Sequence, residues 1–223
     1  VRVLAVETSA LAGGVAVLEG EHVRGEYVLD VRATHSERLM PAIDRLLHDA
    51  GWGPRDLQGL AVAVGPGSFT GLRIGLSAVK GLALALGLPV AAVPTLDAMA
   101  AALPFAQLPV CPVLDARKGE VYACLYRWSG ADMHREWDYL AIRPEELAAR
   151  LTTPTILVGE AGARLIHSPN AVLPPPPRRL PSPASVGWLG RLRLLRGETV
   201  SAADLLPIYL RPSEAELKRR AVT

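Results

Sequence analysis

Apolar positions alternate along this chain between short unbroken runs and helical stripes. Arg2 to Val6 forms a strand-like run that ends on Glu7-Thr8-Ser9, and Gly13-Gly14 opens a second strand over Val15 to Leu18. His22 to Val31 supplies a third run with partial alternation, so the chain is expected to begin as an antiparallel meander. Leu39, Ile43, Leu46, Leu47 and Ala50 then recur at helical spacing, which predicts a helix from about Ser36 to Ala50 with one buried face. Thr34 or Ser36 is the candidate N-cap, and Gly51 the terminator. Gly59 to Val64 reads as a strand and Gly65-Pro66-Gly67 as a sharp turn. A long helix follows from Phe69 or Thr70 to Leu86, stopped by Gly87 and Pro89, and Val90 to Val93 is the next strand. This strand-helix-strand order predicts a parallel crossover after the meander.

The second half repeats the alternation less clearly. Val110 to Leu114 and Glu120 to Trp128 read as strands around a turn at Asp115 to Gly119. Arg143-Pro144-Glu145-Glu146 starts a helix with proline and acids in its first turn. Thr155 to Val158 is a strand, Pro174 to Pro177 a stiff extended run, Ser185 to Leu195 a helix, and Leu206 to Leu210 a last apolar segment. The expected class is α/β, with one lobe over 1–103 and a second over 104–223, the C-terminal tail packing back on the first.

Composition narrows the class. The 223 residues are 50% hydrophobic and 21% charged, enough for a core without disulfides or a structural metal. Cys111 and Cys124 have no metal-ligand spacing and read as reduced, buried thiols. No secretory signal and no uninterrupted membrane span is expected, so the chain is read as cytoplasmic. A net charge of +2 is too small to grip nucleic acid by itself, and the basic run Lys218-Arg219-Arg220 reads as a solvated tail.

The glycine loop, Gly65-Pro66-Gly67-Ser68-Phe69-Thr70-Gly71-Leu72-Arg73-Ile74-Gly75, is the most informative segment. A glycine turn at a helix N-terminus is a ready anion site, and Ser68 and Thr70 add hydroxyls. Yet no Lys-[Ser/Thr] follows, so it is not a Walker A loop. Its third glycine falls one position late for a dinucleotide fingerprint. On glycine content alone, a tight strand-to-helix turn needing positive φ is the favoured reading. On the following helix, Arg73, Ser77, Lys80 and Leu84 form one stripe, and nearly every other residue is apolar or small. Gly71 and Gly75, and Ser77, Gly81 and Ala85, lie four apart, a spacing that lets another backbone come close. Such a helix is covered on more than one side, by its own chain or by another.

Four segments together resemble the TsaB family, also called YeaZ. They are Leu4-Ala5-Val6-Glu7-Thr8-Ser9, Thr34-His35-Ser36-Glu37-Arg38-Leu39-Met40-Pro41, Gly65 to Gly75, and Lys80-Gly81-Leu82-Ala83. The resemblance continues through Asp115-Ala116-Arg117-Lys118-Gly119-Glu120-Val121-Tyr122 and Pro207-Ile208-Tyr209-Leu210-Arg211. It implies a two-lobed fold of the actin, Hsp70 and sugar-kinase type, which is ribonuclease H-like. It also implies a bacterial role in forming threonylcarbamoyladenosine in tRNA next to the anticodon. The expected partner is TsaD, the similar subunit that carries the active site. TsaE joins as an ATPase, TsaC supplies the adenylate donor, and tRNA is reached through the complex. Self-association is a further expectation.

The resemblance also marks where chemistry is expected to be missing. TsaD-type chains carry a His-x-x-x-His pair after the strand that follows the glycine-loop helix, and two imidazoles four apart can grip one metal. The matching positions here are Thr95 and Met99, a poor donor set for zinc or iron. No metal, cofactor or catalytic residue is therefore expected, and a metallopeptidase is the weakest alternative. The stronger alternative is a small actin-like phosphotransferase holding Mg-ATP with Glu7, Thr8 and Asp115. Against it, Ala116-Arg117-Lys118-Gly119 lacks a glycine-rich phosphate turn, and Glu160-Ala161-Gly162-Ala163 reads as an ordinary turn into a helix. Glu7, Thr8, Ser9, Gly65, Gly67 and Ser68 are accordingly expected to be vestigial phosphate loops. His35, Ser36 and Glu37 are sequence neighbours whose side chains point apart, so they form no catalytic relay. The expected partner surface is Met40, Leu47, Gly71, Arg73, Gly75, Ser77, Lys80, Gly81 and Leu84.

Overall fold

The computed structural model describes residues 1–29 and 35–211, without the side chains of 29, 35 and 36. Thr34 and the basic run at 218–220 lie outside the described residues, as do the side chains of His35 and Ser36.

The first sheet has five strands in the order β3-β2-β1-β4-β5. β1 (Arg2–Glu7), β2 (Gly13–Glu19) and β3 (His22–Leu29) form the antiparallel meander, while β4 (Gly59–Ala63) and β5 (Val90–Val93) run parallel to β1. Valine and alanine dominate β1 and β4, which fits strands buried on both faces. On one face lie α1 (His35–Asp49) and α2 (Phe69–Leu86), whose Ile43, Leu46, Leu72 and Val79 meet Leu4, Val6, Val17 and Val62. On the other lies α5 (Pro183–Leu195), whose Val186 meets Ala5, Leu18 and Ala61.

The second sheet follows the path β10-β7-β6-β11-β12, with β8 and β9 on a side branch. Its members are β6 (Val110–Arg117), β7 (Glu120–Ala123), β8 (Tyr126–Trp128), β9 (Met133–Arg135), β10 (Leu140–Ile142), β11 (Thr155–Val158) and β12 (Ala171–Val172). The single strand expected over Glu120 to Trp128 is broken at 124–125. There the Leu125 carbonyl accepts from the Glu136 amide instead of from β6, and the Cys124 thiol is 3.1 Å from the Trp137 carbonyl. α4 (Pro144–Arg150) and a 3-10 turn over Glu160–Leu165 cover this sheet.

The last part of the chain, which the sequence assigns to the second lobe with its tail packing back on the first, lies against the first sheet from α5 onward. α5 packs against β1, β2 and β4, Leu205 enters the core under α1 and α2, and Val200 bridges to Val90. The physical reason is area: the first sheet exposes a second apolar face that only a helix from later in the chain covers.

Between the sheets sits α3 (Thr95–Ala101). Its Asp97 accepts from the Tyr126 and Tyr139 hydroxyls at 2.6 and 2.7 Å, and Arg193 of α5 lies 3.9 Å from its other oxygen. Burial first, and then Asp97, pushes both tyrosine hydroxyls up, so they stay donors. Asp97→Ala leaves two half-buried hydroxyls unpaired, and we expect it to cost about 2 kcal/mol in urea denaturation.

Candidate functional site

The glycine loop leaves the carboxyl end of β4 and lies directly on the turn that leaves β1. The Ser68 amide donates to the Ser9 carbonyl at 2.6 Å, and the Thr8 hydroxyl donates to the Gly71 carbonyl at 2.8 Å. Ser68 caps α2 by accepting from the Gly71 amide at 3.3 Å. A Cβ on Gly67 or Gly71 would fall inside the contact distance of Ser9 or the Thr8 carbonyl. The Thr8 hydroxyl, the Ser68 amide and the Ser68 hydroxyl are thus spent on the chain itself, while the buried Ser9 hydroxyl has no partner among the described residues. The glycines serve close approach, and only Gly65 among these loop glycines has positive φ, at 108°. Glu7, Thr8 and Ser9 are all buried, at 1, 1 and 2% exposure.

Glu7 accepts from the Ser9 amide at 2.5 Å through Oε1, while Oε2 has no partner among the described residues. Burial pushes its carboxyl from 4.5 up to about 7, with hydrogen bonding from Ser9 pulling partly back. The folded protein therefore holds this proton more tightly than the unfolded chain does. Its contribution to stability is fully present below pH 4.5 and is lost as pH rises to about 7, on the order of 3 kcal/mol in total. Glu7→Gln should flatten that slope, giving a variant that gains on the parent between pH 5 and 8 in thermal melts.

Farther along α2 the picture is different. α2 has 18 residues and a mean hydropathy of 1.4, enough by length and composition to cross a membrane, yet only 33% of it is buried. Arg73, Ser77, Gly81 and Leu84 face outward, Leu84 at 77% exposure, and Lys80 is half-buried. Leu39 and Met40 of α1 and Phe69, Arg73, Ile74 and Ala78 of α2 line an open groove, with Met40 at 46% exposure. Three residues expected at a partner surface are not on it. Leu47 sits in the core at 4% exposure, and Gly71 and Gly75 face Thr8. The Gly71/Gly75 spacing lets α2 approach β1, whereas a Cβ on Gly81 meets nothing within 4 Å among the described residues.

A strap over 205–211 borders the groove. The Ile208 amide donates to Val64 at 2.7 Å, and the Tyr209 ring stacks on Phe69 with centroids 5.0 Å apart. The Arg73 Nε donates to the Tyr209 hydroxyl at 3.2 Å while its guanidinium lies 3.9 Å over the Phe69 ring. Arg211 then pairs with Glu120 of β7 at 2.5 Å.

The chain resembles known proteins over nearly its whole length. It is 31% identical over 225 residues to the tRNA threonylcarbamoyladenosine biosynthesis protein TsaB of Bacillus subtilis (strain 168), covering 97% of this chain and 96% of that one. This chain belongs to the TsaB family. A TsaB chain takes part in tRNA threonylcarbamoyladenosine biosynthesis. The solved structure of YeaZ from Pseudomonas aeruginosa superposes with a TM-score of 0.80 at 31% identity, covering 94% of this chain and 99% of that one. The family model described as TsaD, tRNA N6-adenosine threonylcarbamoyltransferase, matches residues 30–173. Component A of the (R)-2-hydroxyglutaryl-CoA dehydratase of Acidaminococcus fermentans shares the fold at a TM-score of 0.54 and 8% identity, covering 87% of this chain and 99% of that one. The fold is the two-lobed actin-like one.

In this TsaB chain the two positions matched to the His-x-x-x-His pair are core residues of α3: Thr95 is 0% and Met99 2% exposed. Among the described residues no three His, Cys, Asp or Glu side chains cluster in ligating geometry. Asp115, the candidate second acid, ion-pairs with Arg164 at 3.1 Å and Arg117 at 3.5 Å. Glu160–Leu165 is a 3-10 turn. Burial pushes the Cys111 thiol up to about 12 and the Cys124 thiol to about 11, so both stay protonated at neutral pH. Sequence reasoning missed Phe69, Ile74, Ala78 and Leu39 as groove residues and Tyr209 as their neighbour. Helical spacing did carry a signal for Ile74 and Ala78, which follow one another at i and i+4. Nothing in the spacing brings Tyr209 to Phe69, because 140 residues separate them.

Proposed function

We propose that this chain is a non-catalytic subunit that binds and activates TsaD in the cytoplasmic bacterial complex forming threonylcarbamoyladenosine in tRNA. The observation that carries the proposal is the open α1–α2 groove on a chain whose inherited ligand positions are filled core. An apolar groove flanked by charged residues is the usual form of a protein-docking surface. The glycine loop and the Glu7 turn, by contrast, bond to each other through Thr8, Ser9 and Ser68, and Glu7, Thr8 and Ser9 are buried. Chemistry therefore rests with the partner, TsaD, and with TsaE, which joins as the ATPase. The tRNA is reached through the assembled complex, and Asp115 and the Glu7 turn hold shape only.

Calorimetry tests this directly. Titrating the purified chain into TsaD should give a saturable 1:1 isotherm, while titrating Mg-ATP into the chain alone should give no heat up to millimolar nucleotide. Micromolar Mg-ATP binding by the isolated chain would instead favour the phosphotransferase reading.

A further inference from the structure

The groove is apolar, but its rim carries one cation held in an unusually fixed pose. A surface arginine normally samples many rotamers and offers little net binding energy when it pairs. Arg73 is different: its guanidinium carbon lies over the Phe69 ring, 3.9 Å from the centroid, and its Nε donates to the Tyr209 hydroxyl at 3.2 Å. Tyr209 is itself stacked on Phe69, on a strap anchored at Val64 and Glu120. Among the described residues no carboxylate pairs with Arg73, and Nε is the nitrogen committed to Tyr209. The two terminal nitrogens have no hydrogen bond among the described residues, and part of the side chain's ordering cost is already met within the chain.

We propose that Arg73 is the polar anchor of the docking surface, taking a carboxylate that the partner presents from an apolar helix face. The inference rests on the docking reading above and adds the chemistry that recognises the partner. It commits to a different chain as occupant, not a second copy. A two-fold interface sets the same patch against itself. The outward stripe of α2 carries Arg73 and Lys80 and no acid, so across an axis through α2 a copy would bring cation to cation. A partner with a carboxylate at that point satisfies both the charge and the planar fork. Tyr209 then acts as a positioning residue, and the strap becomes part of the recognition surface.

The test is a calorimetric series of the full chain against TsaD at two salt concentrations, with sedimentation velocity on the chain alone. Arg73→Ala and Arg73→Lys should each raise Kd by about thirtyfold or more, since lysine keeps charge but loses the fork and the stack. Tyr209→Phe, which keeps the ring stack, should give a smaller rise together with a steeper salt dependence than the parent. Arg150→Ala, an exposed cation on α4 outside the groove, should stay within about threefold. Thermal melts matching the parent show that Arg73, an exposed residue, was not needed for folding. If the parent binds and the Arg73 variants bind equally well, the anchor is overturned and the docking function stands. Equal losses for Arg150→Ala and Arg73→Ala also overturn it, because the effect is then general charge. If only self-association responds to Arg73, the occupant is a second copy and the commitment fails. A parent that does not bind TsaD overturns this inference and the proposed function together.

Discussion

Gly71→Ala is expected to destabilise the fold by about 3 kcal/mol or more, and Gly81→Ala, ten residues along the same helix, to stabilise it by about 0.5–1 kcal/mol. Alanine is the better helix former at both positions, so propensity alone predicts a gain twice. Contact decides otherwise at the first. A Cβ on Gly71 would lie inside the contact distance of the Thr8 carbonyl, a backbone atom that cannot rotate away. Either α2 shifts off β1, opening the core around Leu72 and Val6, or the hydrogen bond from Thr8 to Gly71 breaks. At Gly81 a Cβ meets nothing within 4 Å among the described residues, so the substitution restricts the unfolded chain with no clash against them. Parallel urea melts check both variants, and equal effects would contradict the close approach of α2 to β1.

The double variant Met40→Lys, Leu84→Lys is expected to lose affinity for TsaD by at least about a hundredfold while melting within about 0.5 kcal/mol of the parent. Both side chains are well exposed, at 46 and 77%, so their replacement removes little from the folded core. In a docked complex the same positions are expected to be covered, and burying an unpaired ammonium costs several kcal/mol. Calorimetry and thermal melts on one preparation separate the two effects. Unchanged affinity would move the partner surface elsewhere on the molecule.

Much of the first lobe was legible because its signals are local. Apolar runs at β1 and β4, the stripe of α1, and the glycine stop of α2 each lie within a window of a few residues. The second lobe was harder. β9, β10 and β12 have three, three and two residues, and no periodicity can announce a strand that short. The return of α5 to the first sheet went beyond the expected packing of the tail, because Ser185, Arg191 and Arg193 are spread around the helix and leave no single apolar stripe to name a neighbour. The candidate site divided in the same way. Arg73, Ser77 and Leu84 were placed outward by helical spacing alone. Gly71 and Gly75 were misassigned because small residues at that spacing admit a close neighbour of any origin, and the neighbour here is Thr8 of the same chain. The strap's contact between Tyr209 and Phe69 depends on the path of the whole second half, which no local pattern contains.

Reconstitution of tRNA modification puts the docking account under the most direct strain. Purified TsaD, TsaE, the threonylcarbamoyl-adenylate donor and tRNA are combined with and without this chain, and with the Met40→Lys, Leu84→Lys variant. Modified adenosine should form only with the parent chain present and saturate at one equivalent per TsaD, with the variant close to the level seen without it. Full modification in the absence of the chain, or from the chain, donor and tRNA without TsaD, would contradict it.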